Sequence, residues 1–439
     1  MTTAYWCERA WLPAGVAAGV VVRVGADGVI AGVSTSDRAP LGAQRLRGMV
    51  FPGFANAHSH AFHRALRGRT HSGGGTFWTW RQAMYQLAQR LTPELYLRLA
   101  TAVYAEMAVA GVSCVGEFHY VHHNQDGTPY ADPNEMGLAL REAAASAGIR
   151  LTLLDTCYLA GGIDIELSGP QVRFNDGSAD AWASRVSALR DDEMMRVGAA
   201  IHSVRAVPRD QLGDVVAGAG DERPLHVHLS EQPAENEACL SAYGRTPTEL
   251  LHEAGALSAR TTAVHATHLT VDDRRLLGET VTTACFCPTT EADLADGIGP
   301  ARELADSGCP LSLGSDQHVV IDPLLEARAL EHGERLRTGQ RGRFSPAELI
   351  TASTEAGHAC LGWPEAGRIA VGAPADLVAV RMDSPRTAGC LPEQVVLAAN
   401  SSDVDTVVIG GRVVASGGRH VRLGEIGALY DQVMGELWQ

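Results

Sequence analysis

The sequence predicts a (β/α)8 TIM barrel with a small flanking β domain that both chain ends build together. Three observations predict it. Eight apolar, β-branched runs recur through the middle of the chain and end in polar residues. Helical patterns lie between several of them. Both ends of the chain are β-rich and punctuated by Gly and Pro. Strands alternating with helices build a parallel sheet, closed or doubly wound. No GxGxxG follows the first run, which weakens the doubly wound alternative.

The elements follow in chain order. Near the start, "GVVVRVGADGVIAGV" is two apolar runs joined by "GADG", a hairpin signal. The eight central runs cover residues 49–60, 111–121, 149–159, 196–207, 223–231, 261–269, 281–291 and 309–318. After the first, Thr92 caps a helix with Pro93 at its first position, and Leu95, Leu99, Val103 and Met107 form one stripe that ends at Gly111. Asp132 and Pro133 are expected in the same roles for a helix that closes at Gly148, and Thr246 and Pro247 for a third. The stretches "GRIAVGAPADLVAVRM" and "VDTVVIGGRVVASGG" return to β, with no long helix expected over 365–420. The expected division is a composite β domain from 1–50 and 366–439 around a barrel from 51–365.

Composition narrows the function. The 439 residues are 45% hydrophobic and 20% charged, ordinary for a globular chain. The net charge is −15 and no basic stripe appears, which argues against nucleic acid as a partner. No apolar segment reaches the roughly 18 residues that span a membrane, and the N-terminus lacks the pattern of a secretory leader. Nine scattered cysteines fit reduced thiols, so a cytoplasmic protein is expected. "CFC" at 285–287 reads as small buried strand residues, with a soft ligand pair as the alternative. The chain contains no lysine. That excludes Schiff-base chemistry, lysine-bound PLP and any metal pair bridged by a modified lysine.

Functional residues of a barrel gather at the C-terminal ends of its strands. Here those ends carry His58 and His60, then Glu117, His119 and Tyr120, then His202 and Arg205, His228 and Glu231, His265 and His268, and Asp316 and His318. His58 and His60 are i and i+2 on a strand and face one point. With His228 and Asp316 they make a nitrogen and oxygen set for one metal ion, Zn²⁺ with Fe²⁺ as the alternative, leaving a position open for water.

These motifs resemble a known family. "PGFANAHSH", "HVHLSE", "VHATH", "GSDQH" and the "GRIAVGAPADLV" ending are similar to the amidohydrolase superfamily over residues 20–420. Within it, "HSHAFHRALRG", "FWTWRQAMY", "GEFHYVHH" with "YADP", "HSVRAV" and "TEADLADGI" resemble the formimidoylglutamate deiminases, which hydrolyse N-formimino-L-glutamate to N-formyl-L-glutamate and ammonia in histidine breakdown. The resemblance implies one metal-activated water per subunit and a homodimer. It implies that Asp316 takes the first proton, that Glu231 carries a proton to the substrate nitrogen, and that His265 polarises the attacking water. It also implies recognition of the two substrate carboxylates by Arg81, Arg205, Tyr120 and His202, since planar guanidinium suits a carboxylate. Arg81 is expected on a loop over the mouth. His63 stands where the family often has Gln and is expected to meet substrate rather than metal. His122 and His123 read as loop or packing residues. Competing readings are a deaminase of guanine, cytosine or an adenosine derivative on the same fold, and a non-catalytic scaffold.

Overall fold

The computed structural model describes residues 3–71 and 74–439. Four strands open the chain: β1 (Thr3–Leu12), β2 (Gly15–Val24), β3 (Ile30–Thr35) and β4 (Gln44–Pro52). Eight more follow: β5 (Phe54–Ser59), β6 (Val112–His119), β7 (Arg150–Cys157), β8 (Met195–Ile201), β9 (Leu225–Leu229), β10 (Thr261–His265), β11 (Thr283–Phe286) and β12 (Leu311–Leu313). The last are β13 (Leu377–Val380), β14 (Val404–Ile409), β15 (Arg412–Ser416) and β16 (Arg419–His420).

Strands β5 to β12 form one parallel sheet in sequential order, the (β/α)8 arrangement the sequence predicts. Nearly every residue of these strands is buried, because helices cover the outside and side chains fill the inside. The ends of the sheet meet near the mouth. His60 N donates to Asp316 O at 3.0 Å, and Asp316 N to His58 O at 3.0 Å. Gly314 makes this seam possible: a Cβ there would lie 2.7 Å from His58 Cβ and 2.9 Å from Cys287 Sγ.

The flanking sheet runs β16-β15-β14-β13-β4-β1-β2-β3 and so interleaves the two chain ends. The β2–β3 hairpin forms as expected. The first central run is not one strand. It divides at Gly53 into β4, which pairs with β1 and β13 in the flanking sheet, and β5, which begins the barrel. Gly53 N bonds Asp376 O at 3.0 Å. A Cβ at Gly53 would lie 2.3 Å from Ser113 Oγ, so only glycine fits where the chain crosses between sheets. Arg150 at the start of β7 makes a buried ion pair with Asp376, at 2.5 and 3.2 Å, that ties the barrel base to this sheet.

Helix α1 (Phe77–Arg90) covers the expected loop around Arg81. Phe77, Trp80, Arg81 and Met84 lie at helical spacing on one of its faces. Helix α2 (Pro93–Val109) starts as expected, with Thr92 Oγ1 accepting from Leu95 N at 3.2 Å. Helix α3 (Glu135–Ala147) begins later than Asp132 and Pro133 suggested, because the Asp132 side chain closes a turn onto Asn134 N at 2.9 Å first. The C-terminal helix Ile426–Leu437 is also no part of a β layer. It packs on α2, with Tyr430 OH donating to Glu106 at 2.6 Å and Arg98 paired with Glu436 at 2.7 Å.

Candidate metal centre and active site

The strand ends bring His58, His60, His228, His265 and Asp316 together at the mouth. The Nε2 atoms of His58 and His228 are 3.2 Å apart. Asp316 Oδ1 lies 3.5 Å from Nε2 of both His58 and His60. Backbone carbonyls set the tautomers. His60 Nδ1 donates to Phe118 O, and His228 Nδ1 to His202 O, each at 2.9 Å. A carbonyl only accepts, so both Nδ1 atoms carry the proton and both Nε2 atoms present lone pairs inward. Burial keeps His58 and His228 well below the usual imidazole range, and burial with the neighbouring His58 pushes His60 down to about 3. Neutral imidazoles and a carboxylate aimed at one point repel one another unless a cation joins them. The donor set therefore fits a metal ion.

The backbone is bent to make this arrangement. Ser230, His265, Ala266, Asp316 and His318 all have positive φ, between 42° and 70°. Such geometry in non-glycine residues costs on the order of 1 kcal/mol each and marks sites where side-chain aim outweighs local stability. Beneath the ligands, Ser59 Oγ donates to Glu117 at 2.5 Å and contacts His318 Nε2 at 2.9 Å, while Ser315 Oγ meets His318 Nδ1 at 2.8 Å. Ser59 sits between His58 and His60 and Ser315 beside Asp316, so this buried network fixes the backbone from below. Burial pushes Glu117 up to about 7.

A second layer surrounds His265. Its Nδ1 faces Glu291 Oε1 at 3.4 Å, and its Nε2 lies 3.8 Å from Glu231 and 3.9 Å from Asp316. Burial would lower His265, but the three carboxylates outweigh it and hold the imidazole well above its usual pKa. Burial raises Glu231 above the ordinary carboxylate range.

A cavity of about 50 Å³ opens beside these groups. Arg81, Arg205, His63, Tyr120, His202 and Glu231 all line it. His63 Nε2 meets Tyr120 OH at 2.9 Å. Arg81 donates to Tyr158 OH at 3.2 Å and packs over the rings of Trp78 and Tyr85. Arg205 donates through Nε to Glu235 at 3.2 Å and lies 3.8 Å from Glu231.

Sequence reasoning missed Glu235, Glu291, Tyr158 and the Ser59–His318 contact. Glu291 stands in the quoted "TEADLADGI", so its motif was visible though its partner was not. His122 and His123 lie away from the mouth, in a network where His123 contacts Asp176 at 3.2 Å and Arg185 binds Asp155 at 2.8 Å. Cys285 and Cys287 are buried; Cys285 ends its run inside β11 and Cys287 lies just past it.

Barrel, flanking sheet and strand-end histidines together define a metal-dependent hydrolase. The chain matches the amidohydrolase family over residues 49–414 and belongs to it, as a hydrolase of C–N bonds. It is 38% identical over 453 aligned residues, covering 99% of both chains, to formimidoylglutamate deiminase of Pseudomonas aeruginosa. It is 28% identical over 403 aligned residues, covering 90% of this chain and 89% of the other, to an 8-oxoguanine deaminase of the same species. Its fold superimposes on an amidohydrolase from Brucella melitensis with a TM-score of 0.92, at 32% identity and with 100% of each chain covered. Among the described residues, no helix is long and apolar enough to cross a membrane.

Proposed function

We propose that the protein hydrolyses N-formimino-L-glutamate to N-formyl-L-glutamate and ammonia, as a cytoplasmic homodimer with one Zn²⁺ per subunit. One observation carries the substrate: two arginines line a cavity that also reaches Glu231, His265 and the ligand cluster. A dicarboxylate gives Arg81, which meets only Tyr158 and aromatic rings, and the Nη face of Arg205 a charged partner, which an uncharged nucleobase does not supply. The 38% identity to a formimidoylglutamate deiminase over both full lengths supports the same substrate.

His58, His60, His228 and Asp316 would hold the ion, and it would supply a water of lowered pKa as nucleophile. Asp316 accepts the proton that the attacking water gives up. His265, whose Nδ1 faces Glu291, turns Nε2 toward the oxygen of the attacking water and the charge that develops there. Glu231, a raised carboxyl, delivers a proton to the departing nitrogen, so that ammonia leaves rather than amide ion. Arg81, Arg205, Tyr120 and His202 bind the carboxylates, and His63 meets the formimino group.

The test is ammonia release from N-formimino-L-glutamate by metal-replete protein, beside guanine, cytosine and adenosine, with and without chelator. Chelator-sensitive turnover of formiminoglutamate alone is expected. Turnover of a base instead would keep the metal chemistry and overturn the roles of Arg81 and Arg205.

A further inference from the structure

Arg205 has more than one place to go. Its guanidinium lines the inner cavity and also an outer pocket of about 250 Å³, whose wall includes Leu159, Ile165, Val204 and Tyr243. On the inner side its Nη2 is 3.8 Å from Glu231, longer than a hydrogen bond and short enough to close. A long arginine side chain left to itself samples several such positions. One contact selects among them. Glu235 Oε2 accepts from Arg205 Nε at 3.2 Å. Glu235 is 1% exposed and does not line the cavity, so it stands behind the arginine rather than beside a ligand. Its place is fixed by the first turn of the helix Pro233–Tyr243, where Glu235 N bonds Gln232 O at 3.0 Å. The loop that carries Glu231 thus also delivers, four residues later, the group that holds Arg205.

We infer that Glu235 is a positioning residue: by occupying the Nε edge of Arg205 it turns the two Nη groups into the cavity. The inference rests on the reading that Arg205 binds a substrate carboxylate. A guanidinium offers a fork of parallel donors to a carboxylate. Taking the Nε edge leaves the Nη1–Nη2 face for the ligand.

Geometry and charge make opposite demands on substitutions at this position. Glu235→Gln keeps the reach and an acceptor oxygen but removes the charge. Glu235→Asp keeps the charge and loses the reach. Steady-state kinetics on N-formimino-L-glutamate separate the two, with metal content and thermal midpoint checked for each variant. Positioning predicts that E235A raises KM about tenfold or more with kcat changed less than about threefold. It predicts that E235Q recovers most of that loss and E235D recovers little. In an R205A background, E235A should add almost nothing, because a residue that acts only through Arg205 has nothing left to place. Should E235D recover function better than E235Q, or should E235A lower KM, Glu235 is a counter-charge and the inference is wrong. If E235A does not fold, the order of E235Q and E235D still decides. R205A alone tests the underlying reading: unchanged KM in that variant removes the carboxylate assignment itself, whereas a raised KM in R205A beside a normal E235A removes only the role of Glu235.

Discussion

The floor and the wall of the cavity are built on different terms. The floor consists of strand ends. His58, His265 and Asp316 are 0%, 1% and 5% exposed; His58 and Asp316 are hydrogen-bonded through their backbones across the barrel seam, His60 and His228 are aimed by backbone carbonyls, and His265 faces the buried Glu291. The wall over it is one face of α1, joined to the barrel by a glycine-rich stretch, with Trp78 43% exposed and Arg81 held by neutral aromatic groups. Chemistry requires atoms fixed to fractions of an ångström; recognition requires a surface shaped to the ligand. The molecule assigns the first to strand ends and part of the second to a helix.

The largest effects should come from breaking the floor. Asp316→Asn, or chelation of the protein, is expected to bring ammonia release to background, and metal analysis should show the variant metal-poor. Next comes Glu231→Gln, which removes a proton carrier without moving the ligands. Its kcat should fall about 10²–10⁴-fold with KM and metal content little changed; a loss confined to KM would place Glu231 in binding instead.

The carboxylate-binding side chains should respond in KM, and the two arginines, Arg81 on α1 and Arg205 just beyond β8, should differ. Arg205 is buried against Glu235 and Glu231, so Arg205→Ala leaves carboxylates without a partner and should lower kcat/KM about 10²-fold. Arg81 is half-buried and held by Tyr158 and ring faces, so Arg81→Ala should cost about tenfold. Equal losses in the two would erase the distinction between an arginine paired with buried carboxylates and one held by neutral aromatic groups.

The smallest effect lies outside both. Glu326 is buried against Thr289, and burial pushes it up to about 8. The native state thus keeps a proton that the unfolded chain has released, and stability falls as pH rises from about 4.5 to about 8. Glu326→Gln removes that titration, so the thermal midpoint of the variant relative to the parent should climb across this window.

Floor and wall also differ in how far the sequence discloses them. His58 and His60 could be read because strand geometry makes i and i+2 neighbours, and charged residues at the ends of apolar runs are rare enough to notice. The eight runs gave the barrel for the same reason of local period. The helix at 77–90 could be read only as a loop, since its apolar spacing is short and its glycine-rich approach resembles a turn. Glu235 and Glu291 were silent because their partners, Arg205 and His265, come from other strands, and no local pattern encodes such a meeting. The division of residues 49–60 at Gly53 is likewise a tertiary matter, decided by Ser113 and Asp376 far along the chain.

The barrel seam has a consequence for how the protein is made. Asn56 and Ser315, which bond across it at 2.7 Å, are 259 residues apart in sequence. His58 and His60, the first two proposed ligands, therefore leave the ribosome long before Asp316, and a nascent chain holds histidines that cannot yet enclose an ion. β4, the strand just before them, also waits for β13, which comes later still. Loading of the proposed centre thus waits until Asp316 has been made, and a truncated chain ending before residue 311 should be both open-sheeted and unable to retain a metal ion there.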